Sequence, residues 1–358
     1  MWRKYALLCF RLAGLFTLSF LFGCRSSAIE LGQAETTALP QIEGLSAEEV
    51  ATLNSIEKVD DYPLYTMRYY ADYEKRAYSL EDISWANASP QTLSIPLWSC
   101  SLFAALGDSR NMFYGRNFDW EYSPALLLHT DPPNGYASAA LVDIAYLGFG
   151  GEKAGALLDV PLQERQSLLM APFLPFDGLN EQGLVIGMAA VPPGNMQPDP
   201  AKKTINSLMV IRLILDEARN VDEAIGIFEK YNIDMGDGPP IHYLIADATG
   251  RAVLVEFYQG EMLIIPNQEG WHQATNFLVS AVGDPTGQCW RYDQLSQVFH
   301  DTRGYIVAQE AMETLEGVSQ PETQWSVVYA MSAGEIHIAM GRDYEDVHII
   351  RFPLEKEN

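Results

Sequence analysis

The sequence predicts an α+β fold in which antiparallel strands, grouped in hairpins, are layered against paired helices, and three patterns carry that expectation. Residues 101–106 and 112–118 are apolar and aromatic-rich and flank Gly107-Asp108-Ser109-Arg110-Asn111, a polar turn, so a β-hairpin follows. Residues 241–246, 252–257 and 262–265 are three further apolar runs joined by short turns containing Gly250 and Gly260, the pattern of a meander. Residues 204–218 and 221–231 carry apolar side chains at helical spacing on either side of an Arg219-Asn220 break, with Ile205, Leu208 and Leu215 facing a sheet. Strands grouped in hairpins beside paired helices point to α+β layers rather than an alternating, parallel βαβ arrangement.

The chain is 358 residues long, 48% hydrophobic and 20% charged, enough to bury a sizeable core. Its 47 acidic against 23 basic residues give a net charge of -24, which argues against nucleic acid or an anionic membrane surface as an electrostatic partner. At the N-terminus, Arg3, Lys4 and Arg11 precede an apolar run, 12–23, too short to span a bilayer. Leu21-Phe22-Gly23-Cys24 resembles a bacterial lipoprotein signal, which implies a leader over 1–24, a lipid on Cys24 and an exported, membrane-held protein. A leader cut elsewhere, with Cys24 incidental, is the competing reading. Residues 25–44 are Ser-, Ala-, Thr- and Gln-rich with Pro40 and read as a tether. Ser46-Ala47-Glu48-Glu49 then has the form of a helix start, with periodic apolar residues through Ile56, and 64–78 reads as a second, aromatic-rich helix.

The hairpin at 101–118 brings Arg116 and Asp119 back alongside Cys100. A neighbouring cation lowers a thiol pKa, so Cys100 is a candidate nucleophile. A lone Cys at a strand start also packs well as a small hydrophobe, and Arg116 with Asp119 also reads as a structural ion pair. Further on, 136–149 is strand-like, and Phe176 to Leu184 forms a Gly-containing turn that feeds a strand through Ala190. In that turn Asp177, Asn180 and Glu181 read as structural. Residues 309–317 suggest a helix, and 326–331, 335–340 and 347–352 closing strands. Of four cysteines, Cys9 lies in the leader, Cys24 at its end, and only Cys289 remains as a disulfide partner for Cys100.

Cys100, followed by Gly115-Arg116-Asn117-Phe118-Asp119 and Glu121-Tyr122-Ser123, together with Gly178-Leu179-Asn180-Glu181-Gln182-Gly183-Leu184, resembles the choloylglycine hydrolase family of linear amide hydrolases. That family includes bile salt hydrolases and penicillin V acylases; acid ceramidase and N-acylethanolamine acid amidase open similarly. The resemblance implies an N-terminal nucleophile (Ntn) hydrolase with an αββα sandwich over 100–358. Residues 25–99 become a tether and helical pro-segment, removed by autocatalytic cleavage of the Ser99-Cys100 bond. It also implies roles for Asn276, in Ala274-Thr275-Asn276-Phe277, as oxyanion donor, and for Arg291, in Trp290-Arg291-Tyr292, beside the nucleophile. Taken singly, a Thr-Asn pair is commonly a turn or cap and an Arg after Trp a stacked side chain. The position that carries an Asn in bile salt hydrolases is Ala190 here.

The catalytic set expected on this basis is Cys100, Arg116, Asp119, Asn276 and Arg291. Cys100 would supply a thiol nucleophile and, once cleaved free, an α-amine base near its unperturbed pKa of about 7.7. Arg116 would favour the thiolate and Asp119 would orient the amine. The substrate would be a small N-acyl amide, and no cofactor or metal is called for, since the six His form no ligand motif. Two alternatives stand: an acyltransferase of the isopenicillin N acyltransferase type, and a surface lipoprotein that keeps the fold without catalysis.

Overall fold

The computed structural model describes residues 29–30, 41–74, 100–236 and 238–355. The residues read as a leader, Cys24, most of those read as a tether, and Ser99 lie outside the described residues. A two-residue strand β1 (Ile29–Glu30) precedes helix α1 (Ala47–Asn54), which starts where the sequence places it. There Ser46 Oγ accepts from the Glu49 N–H at 3.2 Å and the Glu49 carboxylate accepts from the Ser46 N–H at 2.8 Å, a reciprocal cap.

The second helix expected over 64–78 is not formed over 64–74; residues 75–78 lie outside the described residues. Instead the chain makes β2 (Glu57–Asp60) and β3 (Leu64–Arg68). β3 pairs antiparallel with β2 and parallel with the later strand β6 (Ala125–Thr130), Leu64 opposite Ala125 and Arg68 opposite His129. Tyr65 and Met67 enter one core and Leu64 the other, so both faces are buried and the period-2 alternation of a half-exposed strand is missing.

The hairpin β4 (Ser101–Ala105) and β5 (Phe113–Asp119) forms as expected, Ser101 facing Asn117. After β6 comes β7 (Ser138–Asp143). The strand expected to run to 149 stops at Asp143, whose carboxylate accepts from the Ala145 N–H at 2.8 Å and turns the chain into short 3-10 segments at 144–147, 151–159 and 162–173. β8 (Asp177–Asn180) and β9 (Val185–Ala190) form a tight hairpin, closed at Gly183 with φ of 77°, where a Cβ would also meet Ala248 and the Met331 carbonyl at 3.0 Å.

Residues 203–206 are a strand, β10 (Lys203–Asn206), rather than the start of a helix, because the Asn206 side chain accepts from the Leu208 and Met209 N–H groups and caps α2 (Met209–Glu217). Asn220 caps α3 (Val221–Lys230), and β11 (Tyr231–Asp234) pairs with β10. The meander β12 (Ile241–Ala246), β13 (Ala252–Tyr258) and β14 (Glu261–Pro266) is as read, followed by β15 (Trp271–Ala274). Helix α4 (Trp290–Thr302) has no counterpart in the sequence reading; α5 (Ala308–Gly317), β16 (Thr323–Ala330), β17 (Glu335–Met340) and β18 (His348–Arg351) close the chain.

The strands form a seven-stranded sheet, β1-β18-β17-β16-β5-β4-β15, and a nine-stranded sheet, β14-β13-β12-β9-β8-β7-β6-β3-β2. Leu102, Tyr114, Trp325 and Val327 of the first meet Leu127, Leu141, Val185 and Leu244 of the second in one core between the sheets. The outer face of the nine-stranded sheet packs on α1, α2 and α3, and that of the seven-stranded sheet on α4 and α5. The architecture is therefore the four-layer αββα sandwich expected from the resemblance. Among the described residues no helix is long and apolar enough to cross a membrane.

Candidate active site

Cys100 immediately precedes β4. The registers Ser101–Asn117 on one side and Leu102–Ala274 on the other place it between Phe118 of β5 and Asn276 beyond β15. Its side chain belongs to the core between the sheets and is 5% exposed. Cys100 and Cys289 are both free thiols, so the disulfide alternative is excluded.

Arg116 lies beside the sulfur, with Nη2 4.0 Å from Cys100 Sγ and the guanidinium 5.0 Å from the Phe118 ring centroid. Its ion-pair partner is not Asp119. Nη1 bonds Asp177 on β8 of the opposite sheet, and the other Asp177 oxygen accepts from the Tyr329 hydroxyl of β16. Burial pushes the Cys100 thiol above its ordinary pKa, and the opposing pull of Arg116 does not overcome it. Arg116 pulls the thiol down, as its position beside Cys100 predicts, but burial outweighs it, and the same guanidinium is paired with Asp177.

Asp119 ends β5 and is 1% exposed. Its Oδ1 accepts from the Thr323 hydroxyl at 2.5 Å, while Oδ2 has no hydrogen-bond partner among the described residues. Burial pushes this carboxyl up to about 7. It is a buried acceptor with a vacant lone pair, close enough to Cys100 for its backbone N–H to pull the thiol pKa down.

Arg291, in the first turn of α4, ties the remaining residues together. Nη1 donates to the Cys100 carbonyl at 2.5 Å and to Ser101 Oγ at 3.0 Å, and Nη2 donates to Asn276 Oδ1 at 3.0 Å. A guanidinium can only donate, so this contact fixes the Asn276 amide with its oxygen toward Arg291 and its NH2 inward. One of those N–H groups donates to the Ala190 carbonyl at 2.8 Å, leaving the second to meet a ligand. Ala190 therefore enters the site through its backbone.

All five expected residues converge. Asn180 and Glu181 are structural, as read: Asn180 donates to the Leu215 and Ala218 carbonyls at the end of α2, and Glu181 accepts from the Ala137 N–H. Asp177, Tyr329 and Ser101 join the site without having been expected there. The available signal was Asp177 itself, a lone carboxylate in the apolar run Pro175-Phe176-Asp177-Gly178-Leu179; its partner lies 61 residues away on the other sheet. Away from this site, Asp60, Asp346 and His348 bring one ligand atom each within 4.8 Å of one another, although His348 already bonds Asp60 at 2.6 Å.

Residues 175–281 match the family model for acyl-coenzyme A:6-aminopenicillanic acid acyl-transferase. The matched segment runs from just before β8 to just past Asn276; Cys100, Arg116, Asp119 and Arg291 lie outside it. An uncharacterised protein of Paramecium bursaria Chlorella virus 1 is 29% identical over 103 residues, 26% of this chain and 37% of that protein, so the match spans well under half of the curated relative. Among solved structures, a mutant of conjugated bile acid hydrolase from Clostridium perfringens aligns at 15% identity and a TM-score of 0.49, covering 72% of this chain and 93% of that one. Penicillin V acylase from Agrobacterium tumefaciens aligns at 15% identity and a TM-score of 0.46, covering 67% and 83%.

Proposed function

We propose that the protein is a cysteine amidase of the Ntn type that hydrolyses linear N-acyl amides through a thioester on Cys100. The observation that carries this reading is the Arg291 fork, which holds the Cys100 carbonyl and the Asn276 amide in one rigid unit and so sets an oxyanion donor beside the nucleophile. In this mechanism water first hydrolyses the Ser99-Cys100 bond, leaving a carboxylate on Ser99 and a free α-amine on Cys100. The amine takes the thiol proton, and Cys100 Sγ attacks the amide carbonyl. Asn276 donates to the developing oxyanion, the protonated amine returns its proton to the leaving group, and water resolves the thioester. Asp119 Oδ2, with no partner among the described residues of the uncut chain, accepts from the new ammonium.

The match to an acyl-transferase model favours a second outcome at the same thioester, in which an amine takes the place of water. Product analysis with added amine separates the two. The leader reading implies that the enzyme works at the outer face of a membrane, held by lipid on Cys24; labelling with a radioactive fatty acid should vanish in Cys24→Ala.

Intact mass and N-terminal sequencing of the wild type beside Cys100→Ala test the central reading, followed by a panel of N-acyl amides. The expected result is a new terminus at Cys100 in the wild type only, and amine release that Cys100→Ala abolishes. An uncut wild type, inert toward every amide, would overturn it.

A further inference from the structure

The site contains a pair of buried ionisable groups to which the mechanism assigns no part. His242 of β12 and Glu256 of β13 both face the layer between the sheets and are fully buried. His242 Nδ1 lies 3.1 Å from Glu256 Oε1, and since a carboxylate only accepts, the imidazole is the donor. Glu256 Oε1 also accepts from the Val279 N–H at 2.9 Å, and Oε2 accepts from the Ser280 N–H at 2.8 Å. Burial pushes the Glu256 carboxyl up, and the donors from His242 and Ser280 outweigh it, so the group lies below the usual carboxylate range.

Val279 and Ser280 begin the turn that follows the oxyanion loop. The link from Thr275 to Leu278, which carries Asn276, is held upstream by the ladder of β15 on β4 and downstream by this one carboxylate. The other end of the Asn276 amide contact, the Ala190 carbonyl, lies on β9, where Ala189 is the register partner of His242. The Glu256 carboxylate therefore braces the loop that presents the donor, and its partner His242 stands on β12, the strand next to the one that receives it.

We infer that Glu256, held by His242, is a positioning residue that fixes the Asn276 donor at the oxyanion; this rests on the amidase reading above. Oxyanion donors act only within a few tenths of an ångström of their place, and a displacement of about 1 Å costs on the order of 100-fold in rate. Glu256→Gln keeps the size of the side chain but turns an NH2 toward one of the two backbone N–H groups, which must then move apart.

The test is a double-mutant cycle on the full chain, read with an N-acyl amide that the wild type hydrolyses. Glu256→Gln should lower kcat about 10- to 100-fold with KM unchanged, while iodoacetamide alkylation of Cys100, which builds no oxyanion, keeps its wild-type rate. In an Asn276→Ala background the same substitution should cost less than about 2-fold, because the donor it positions is gone. His242→Leu, which leaves the carboxylate in place, should cost about 3- to 10-fold and be silent in Asn276→Ala, so the result does not rest on one variant's folding. Losses that add fully in the Asn276→Ala background, or alkylation that falls in step with turnover, would overturn the inference alone. A wild type that releases no amine from any amide overturns the amidase reading and this inference with it.

Discussion

Arg116 and Arg291 reach Cys100 from different elements and use their charge differently. Arg116 is sealed between the sheets, 4.0 Å from the sulfur, and faces a carboxylate, Asp177, itself held by Tyr329. Arg291 sits at the start of a helix and, among the described residues, donates only to neutral oxygens, those of Cys100, Ser101 and Asn276. The cation that touches the sulfur thus has a counterion, and burial outweighs its pull on the thiol; the other holds three neutral oxygens in place. Distance alone misjudges a buried charge when its partner is not counted.

The largest way to break this contrast is Asp177→Asn, which leaves Arg116 uncompensated. It should destabilise the fold by about 3–5 kcal/mol, and the freed guanidinium should draw the Cys100 thiol down, so that alkylation at pH 7 is faster per folded molecule. Thermal melts and iodoacetamide kinetics check the two halves. Unchanged alkylation would mean that Arg116 does not set the charge at sulfur.

Asp119 feels both arginines, yet burial holds its carboxyl at about 7 against an unfolded value of 3.8. A carboxyl raised on folding contributes stability that is complete below pH 3.8 and fades as pH rises through about 7. Asp119→Asn in the uncut Cys100→Ala chain should therefore become more stable than its parent as pH goes from 4 to 8, by on the order of 1–4 kcal/mol. Denaturant melts at both ends of that window show it; a pH-independent difference would remove the claim that this group is strained before cleavage.

Asn276→Ala should lower kcat by about 100- to 1000-fold without a comparable loss of stability. Arg291→Lys, which keeps the charge but loses the fork, should cost roughly 10- to 100-fold, because one ammonium cannot hold the three oxygens in the same geometry. If Arg291→Lys were as active as wild type, charge rather than geometry would be its contribution, and the contrast with Arg116 would weaken.

What the sequence made legible followed from locality. The β4–β5 hairpin and the meander from β12 to β14 depend on short turns whose chemistry is written in Asp108, Gly250 and Gly260, and the residues around Cys100 come together because one hairpin folds them back. What stayed hidden depended on partners far along the chain. β3 reads as a helix because both of its faces are buried, and its parallel neighbour β6 begins far downstream, at Ala125 opposite Leu64. Helix α4 shows little apolar periodicity, burying only Arg291, Leu295 and Phe299, so Arg291 reads as part of a short motif. Asp177 looks like turn chemistry because neither Arg116 nor Tyr329 is near it in sequence.

The strand hidden in this way has a consequence for handling the protein. β2 and β3 lie upstream of Cys100 yet form one edge of the nine-stranded sheet, and Tyr65, Met67, Tyr69 and Tyr73 are sealed within its outer core. Cutting at Cys100 would divide the polypeptide without dividing the body: two peptides on a denaturing gel would travel as one particle on a sizing column. An expression clone that began at Cys100 would supply the nucleophile but leave β6 as a bare border strand.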